Sequence, residues 1–386
     1  MSTMLKLFTL MRDKKATDLF LSAGAPITIK MQGSAVPVNQ TILMPADVEN
    51  LLKEILTPEQ LHELEETREL NTRKSYPEVG IFRLSCFYQR GTLAMVARFI
   101  PADIPKFDDL KLPPVLKDVI MEKRGLILMV GATGSGKSTS LTSMIDYRNE
   151  NVSGHILTLE DPLEFIFKNK KSIVNQREVG TDTKAFQTAL KNALRQAPDV
   201  ILIGEIRDKD TMSQAIAYAQ SGHLCLATLH ANNSYHALSR IISFYPLDNR
   251  PSLLADLSVT LKCIISQRLI KTPEGGRAAA VEVMLNSRHV AELVEKGDMD
   301  GIKEAMDKGM TAGAQTFEQA LYKLYKEGTI TLEEALANAD SANNFHYLIN
   351  NAAEESKKPD SPAVPEGTEV GAGGATFSEF KLTLGE

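Results

Sequence analysis

Tryptophan is absent from the 386-residue chain, and aromatic residues make up only 6% of it. Proteins that track single-stranded nucleic acid stack bases on aromatic side chains along a basic groove. A formal net charge of -6 argues against the basic part as well, so no nucleic-acid partner is expected. Cysteine is scarce: Cys86, Cys225 and Cys263 stand far apart in apolar stretches. That spacing fits neither a disulfide framework nor a metal site, and predicts buried, reduced thiols. No apolar run approaches the ~20 residues that span a bilayer, and the opening residues lack the apolar centre of a signal peptide. The expectation is a cytoplasmic chain with no transmembrane segment. Its 43% apolar content suits two globular domains with a sizeable core.

Against that plain background one segment stands out. Gly131, Ala132, Thr133, Gly134, Ser135, Gly136, Lys137, Ser138 and Thr139 follow the apolar run 126–130 and open a helical stretch. This is a phosphate-binding loop in its strand-to-helix setting. Glycines let the backbone wrap until successive N–H groups point at phosphate oxygens, and the helix adds its positive end. Lys137 is expected to reach the β- and γ-phosphates, and Ser138 to offer its hydroxyl to Mg²⁺. That ion takes few protein ligands and keeps several waters. ATP and Mg²⁺ are therefore the predicted ligands.

The residues before the loop read as a small α/β domain over 1–100. An opening helix runs through Met11, short strands lie around 19–21 and 27–31, and helices follow Pro45 and Pro58. A β-rich hairpin over 81–100 carries Arg83, Arg90 and Arg98 among apolar residues. Residues 101–114, with four prolines and several charges, read as an interdomain linker that permits rigid-body movement. Beyond it, apolar runs at 126–130, 156–159, 200–203 and 224–229 alternate with helical stretches, which predicts a mainly parallel sheet covered on both faces. After Pro246 the pattern turns mostly helical, broken by a strand-like 278–285. From Ala352 the composition cannot supply a core, so 352–386 reads as a disordered tail, with Phe377, Phe380 and Leu382 as a docking segment or as passive residues.

Ligands on such sheets sit beyond the strands' carboxyl ends, and chemistry-bearing residues cluster there. Glu160, Asp161 and Glu164 follow the second strand, with Pro162 stopping it. Glu160 and Glu164 can face Mg²⁺ or an attacking water. The third strand ends in Gly204-Glu205, where a glutamate reaches Mg²⁺-bound water and a glycine allows close approach to the nucleotide. Arg207 follows, as an ion-pair partner or as a catalytic cation. His223 and His230 bracket the fourth strand, and His230, at the carboxyl edge, reads as a γ-phosphate sensor.

With these elements assembled, the chain resembles the type IV pilus retraction ATPases of the secretion ATPase superfamily, the PilT/PilU family. Residues 131–139 correspond to Walker A, 159–164 to the Asp box, 200–208 to an atypical Walker B and 222–230 to the His box. The run Val174-Asn175-Gln176-Arg177-Glu178-Val179 matches the retraction branch. The resemblance implies a PAS-like N-terminal domain over 1–100, a linker over 101–114, and a RecA-like P-loop core with a helical C-terminal region over 115–351. It further implies a homohexamer that hydrolyses ATP between the domains. Arg83 and Arg98 fall on the family's arginine-finger positions, where they stabilise charge developing in the transition state; Arg90 is shifted from the pattern. Glu205, with Glu164 as the rival candidate, orients or deprotonates the water. Where the PilT pattern has Ala-Ile-Arg-Asn-Leu-Ile-Arg-Glu, this chain has Ser287-Arg288-His289-Val290-Ala291-Glu292-Leu293-Val294, which resembles the PilU branch. That branch implies an accessory to a PilT-type ATPase, acting on the inner-membrane pilus platform protein, in the cytoplasm and peripheral to the inner membrane at the pilus base. Competing readings are an ATP-binding scaffold with little turnover and a RecA-type nucleic-acid translocase. A pilus assembly ATPase is a third, although its usual tetracysteine site does not occur.

Overall fold

In the computed structural model, residues 2–355 are described apart from Gln32, Pro101 and Ala102. The expected tail falls outside them, except that 352–355 continue a helix, Ala342–Glu355. Phe377, Phe380 and Leu382 lie outside the described residues.

Two sheets organise the chain. The first contains β1 (Asp18–Ser22), β2 (Pro26–Met31), β3 (Ser34–Ile42), β4 (Glu69–Tyr76), β5 (Gly80–Gln89) and β6 (Thr92–Ile100), in the order β3-β2-β1-β6-β5-β4. All its pairings are antiparallel. One face is apolar: Phe82, Leu84 and Cys86 on β5 oppose Phe99, Ala97 and Met95 on β6. Against it pack Met4, Leu7, Phe8 and Met11 from helix Thr3–Asp13 and Val48, Leu51 and Leu52 from Pro45–Lys53. Strands β3 and β4 were not expected, because as mostly polar edge strands they show no apolar alternation.

The second sheet contains β7 (Gly125–Val130), β8 (Gly154–Glu160), β9 (Ser172–Glu178), β10 (Val200–Ile203), β11 (Leu224–Leu229), β12 (Leu261–Lys271) and β13 (Arg277–Leu285). Its order is β13-β12-β7-β11-β10-β8-β9, and every pairing is parallel except that of β12 with β13. Helices cover both faces, as the βα alternation predicted, and the whole is an α/β fold with a RecA-like core. Strand β12 corrects the helical reading of that region. It is buried on both faces for most of its length, so its side chains carry no period-2 signature.

The segment expected as a linker is not free along its length. Phe107 and Leu112 are buried in the core beneath the parallel sheet. Phe107 packs on Tyr147 with ring centroids 5.7 Å apart, and Lys117 pairs with Asp108 at 2.7 Å. The three cysteines are free and buried, as expected.

Candidate active site

Strands β7, β11, β10 and β8 are neighbours and parallel, so their carboxyl ends emerge side by side and the segments that follow them meet at one edge. After β7 the chain turns through residues 131–136 into helix Lys137–Asn151. Gly131 and Gly136 have φ of +152° and +85°, and a Cβ on either would lie 2.5–2.7 Å from Ser135 Oγ, Gln267 O or Gln267 Nε2. Glycine is required at both on space and conformation. Lys137 is buried and donates from Nζ to the carbonyls of Gly131 and Ala132 at 2.8 and 2.9 Å. Burial pulls its pKa down, opposed by the negative charges of Glu205 and Glu164.

The loop is braced from β12. Gln267 accepts from Ser140 Oγ at 2.7 Å and donates to the Ser135 carbonyl at 2.9 Å, inside the protein. Sequence reasoning missed this residue. The signal was a single amide within the mainly apolar run 263–270, which a buried strand accepts only if the amide is bonded on both sides.

The carboxylates arrive from β8 and β10. Glu160, at the last position of β8, accepts from Thr158 Oγ1 at 2.7 Å and from Gln176 Nε2 at 3.4 Å. Burial pushes its pKa up to about 7 despite those donors, and Glu164 adds repulsion. Glu205 is held from two sides, by Arg207 Nε at 2.7 Å and by His230 Nε2 at 3.1 Å. Arg207 also reaches Asp161 at 3.9 Å, so it is an ion-pair partner of two carboxylates, and it lines the cavity described below. His223 stands at the opposite end of β11 from His230, bonded to Ser221, so only His230 belongs to this edge. Gly204 lines the same cavity, and it is also crowded from behind: a Cβ there would meet Leu159 O at 3.0 Å and Glu160 Cα at 3.2 Å. Its small size thus also serves the packing of β10 against the end of β8.

These elements enclose one cavity of about 810 Å³, a size suited to a nucleotide. Thr133, Gly134, Gly136, Lys137, Ser138 and Thr139 line it, together with Glu160, Glu164, Glu205 and His230; Gly131, Ala132 and Ser135 shape the loop without lining it. Arg83 and Arg98, cross-strand partners on β5 and β6, line the opposite wall, and Arg98 bonds Asp18 at 2.8 Å. Arg277 of β13 is a further cation in the lining, and nothing in its sequence setting marked it.

A phosphate loop, a row of strand-end carboxylates and cations from a separate sheet define a P-loop nucleoside triphosphatase built on a RecA-like core. The family model described as "Type II/IV secretion system protein" matches residues 109–337. The chain is 49% identical over 345 residues to the type IV pilus ATPase PilU of Pseudomonas aeruginosa, covering 89% of this chain and 90% of that one. It is 38% identical over 330 residues to the pilus retraction ATPase PilT of the same organism, covering 86% and 96%. The crystal structure of the pilus retraction motor PilT with bound ADP aligns with a TM-score of 0.84 at 39% identity, over 90% of this chain and 99% of that one. The chain belongs to the type II/IV secretion ATPase family, within its PilT/PilU group of type IV pilus ATPases.

Proposed function

We propose that this ATPase works as a homohexameric motor that powers or assists type IV pilus retraction, as a PilU-type accessory to a PilT-type ATPase on the inner-membrane platform protein. The observation that carries the reading is the single cavity shared by the phosphate loop, Glu205, His230 and the two arginines of the N-terminal sheet. A peripheral position at the pilus base in the cytoplasm belongs to the same proposal; no described helix is long and apolar enough to cross a membrane.

Lys137 exchanges the Gly131 and Ala132 carbonyls for β- and γ-phosphate oxygens, as the P-loop backbone wraps them. Ser138 and Glu205 are the residues that would hold Mg²⁺. Their donors are hard oxygens, which suit an ion that keeps water and phosphate ligands. Bound Mg²⁺ supplies neutralisation of phosphate charge. Glu205, or Glu164 in its place, orients the attacking water, and His230 reports on the γ-phosphate through its bond to Glu205. Arg83 and Arg98 stabilise the charge that develops on the transferring group. Their location on a different sheet from the phosphate loop couples turnover to movement of the N-terminal domain.

A second reading, an ATP-binding scaffold with little turnover, draws on the pairing of both Glu205 oxygens, by Arg207 and by His230. Steady-state ATPase rates of the protein beside Lys137→Ala and Glu205→Ala, with and without a PilT-type partner, separate the two. Ring size is followed by light scattering. Turnover by the hexamer that both substitutions abolish is the expected result. Tight ATP binding without turnover, alone or with the partner, would establish the scaffold.

A further inference from the structure

Beyond the bond from Gln176 to Glu160, the retraction-branch run 174–179 has no part in the chemistry above, yet it forms most of β9 and reaches the N-terminal sheet. Gln176 and Glu178 are two apart on a strand and share a face. Gln176 donates to Phe165 O at 2.9 Å, accepts from Phe167 N at 2.8 Å and reaches Glu160 at 3.4 Å, fixing the loop that carries Glu164. Glu178 is buried, and its carboxylate meets Arg73 Nη1 of β4 at 3.3 Å. No hydrogen bond satisfies Glu178 Oε2, so Arg73 is the group that compensates its charge. A buried carboxylate is costly without such a partner.

Arg73 belongs to a row. Directly paired positions run Lys30–Asp18–Arg98–Arg83–Arg73 across β2, β1, β6, β5 and β4, and paired residues share one face of a sheet. Three adjacent arginines repel one another unless anions sit beside them. Asp18 takes Arg98 at one end and Glu178 of the other domain takes Arg73 at the other. Among the described residues no carboxylate pairs with the central Arg83, which faces the cavity. Neither Arg73 nor Glu178 lines that cavity.

We propose that the Arg73–Glu178 ion pair is an interdomain latch that positions Arg83 and Arg98 over the phosphates. Arg73 is thus a positioning residue, and the inference rests on the reading of Arg83 and Arg98 as phosphate-binding arginines. Arg73 pairs directly with Arg83, and Arg83 with Arg98, so anchoring Arg73 to the core holds this end of the row in place. Loosening the latch leaves the phosphate loop intact while the arginines drift.

The test uses the full chain with Arg73→Glu, Glu178→Arg and the double exchange, beside Arg73→Gln and Glu178→Gln as milder changes if a reversal fails to fold. Two readouts are taken: ATPase kcat, and the distance between spin labels at Gln40→Cys on the N-terminal sheet and Lys191→Cys on the core. Labelled chain is diluted into unlabelled chain, and the native cysteines are buried. Each single change is expected to lower kcat about tenfold and broaden the distance distribution, and the double exchange to restore both to within about threefold of wild type. A wild-type distance distribution in the single variants overturns the latch. A broadened distribution with unchanged kcat, while Arg83→Gln lowers kcat, overturns its positioning role. Should Arg83→Gln and Arg98→Gln both leave kcat unchanged, the phosphate-binding reading fails, and the distances alone decide whether the latch exists.

Discussion

At the residue scale the phosphate loop depends on an amide from a distant strand. Gln267 satisfies the Ser140 hydroxyl and the Ser135 carbonyl together, at a site from which water is excluded. Replacing it by alanine leaves both groups buried without partners, at a cost of about 1–3 kcal/mol for each. Gln267→Ala is expected to lower the unfolding midpoint and to weaken ATP binding more than a surface substitution of equal stability cost, because the slack falls on the loop that wraps the phosphates. Thermal unfolding and nucleotide titration of the same preparation check this; unchanged ATP affinity in the destabilised variant would remove Gln267 from the site. The nine residues 131–139 were legible because a phosphate loop is local, its glycines and lysine being close together in sequence. Gln267 and Arg73 act through β-sheet register and domain packing, which no local pattern encodes.

At the scale of elements, a second buried carboxylate fastens the segment after β11. Glu282 of β13 accepts from the Ser234 backbone N–H at 2.7 Å, at the start of helix Ser234–Ser243, and from Ser266 Oγ on β12 at 2.8 Å. Burial, with Asp340 adding repulsion, pushes its pKa up to about 7 from 4.5. The folded state thus binds a proton more tightly than the unfolded state, and the stability contributed by that proton is lost as pH rises from about 4.5 to 7. Glu282→Gln keeps an acceptor oxygen and discards the titration. Its stability relative to wild type is expected to rise across that interval and to level off above pH 7, at a gain on the order of 3 kcal/mol. Denaturant unfolding at pH 5, 6, 7 and 8 reads it, and a difference that does not vary with pH would exclude Glu282 as the titrating group. Sequence pattern found β7, β8, β10 and β11 because each contains a short, mainly apolar run. It missed β12, whose Ser266 and Gln267 interrupt the apolar run because they bond inward. It also missed β9, where polar residues bind the Glu160 loop and the N-terminal sheet.

At the scale of the molecule, the helical C-terminal region is bound into the ATPase core through a polar junction close to the active-site edge. Arg268, beside Gln267 on β12, pairs with Asp340 at 2.5 Å, donates to Asn232 O at 3.1 Å two residues beyond His230, and stacks 3.9 Å over Phe317. Asn233 completes the link to Asp340 at 2.7 Å. Phe345 of the helix Ala342–Glu355 is fully buried beside Phe317, Leu321 and Ile330. The place of truncation therefore decides its effect. Removing 356–386 leaves in place every described residue that lines the cavity, and ATPase turnover is expected to be unchanged. Removing the chain from Ala342 strips Phe345 from its cluster, at about 3–5 kcal/mol, and bares the flank of the Asp340 junction. That chain is expected to unfold at lower temperature and to lose turnover even well below its midpoint, because Asn232 and Asn233 carry the segment leading from His230. If it were less stable but fully active at low temperature, the junction would serve stability alone, and the C-terminal helices would be mechanically separate from the nucleotide site.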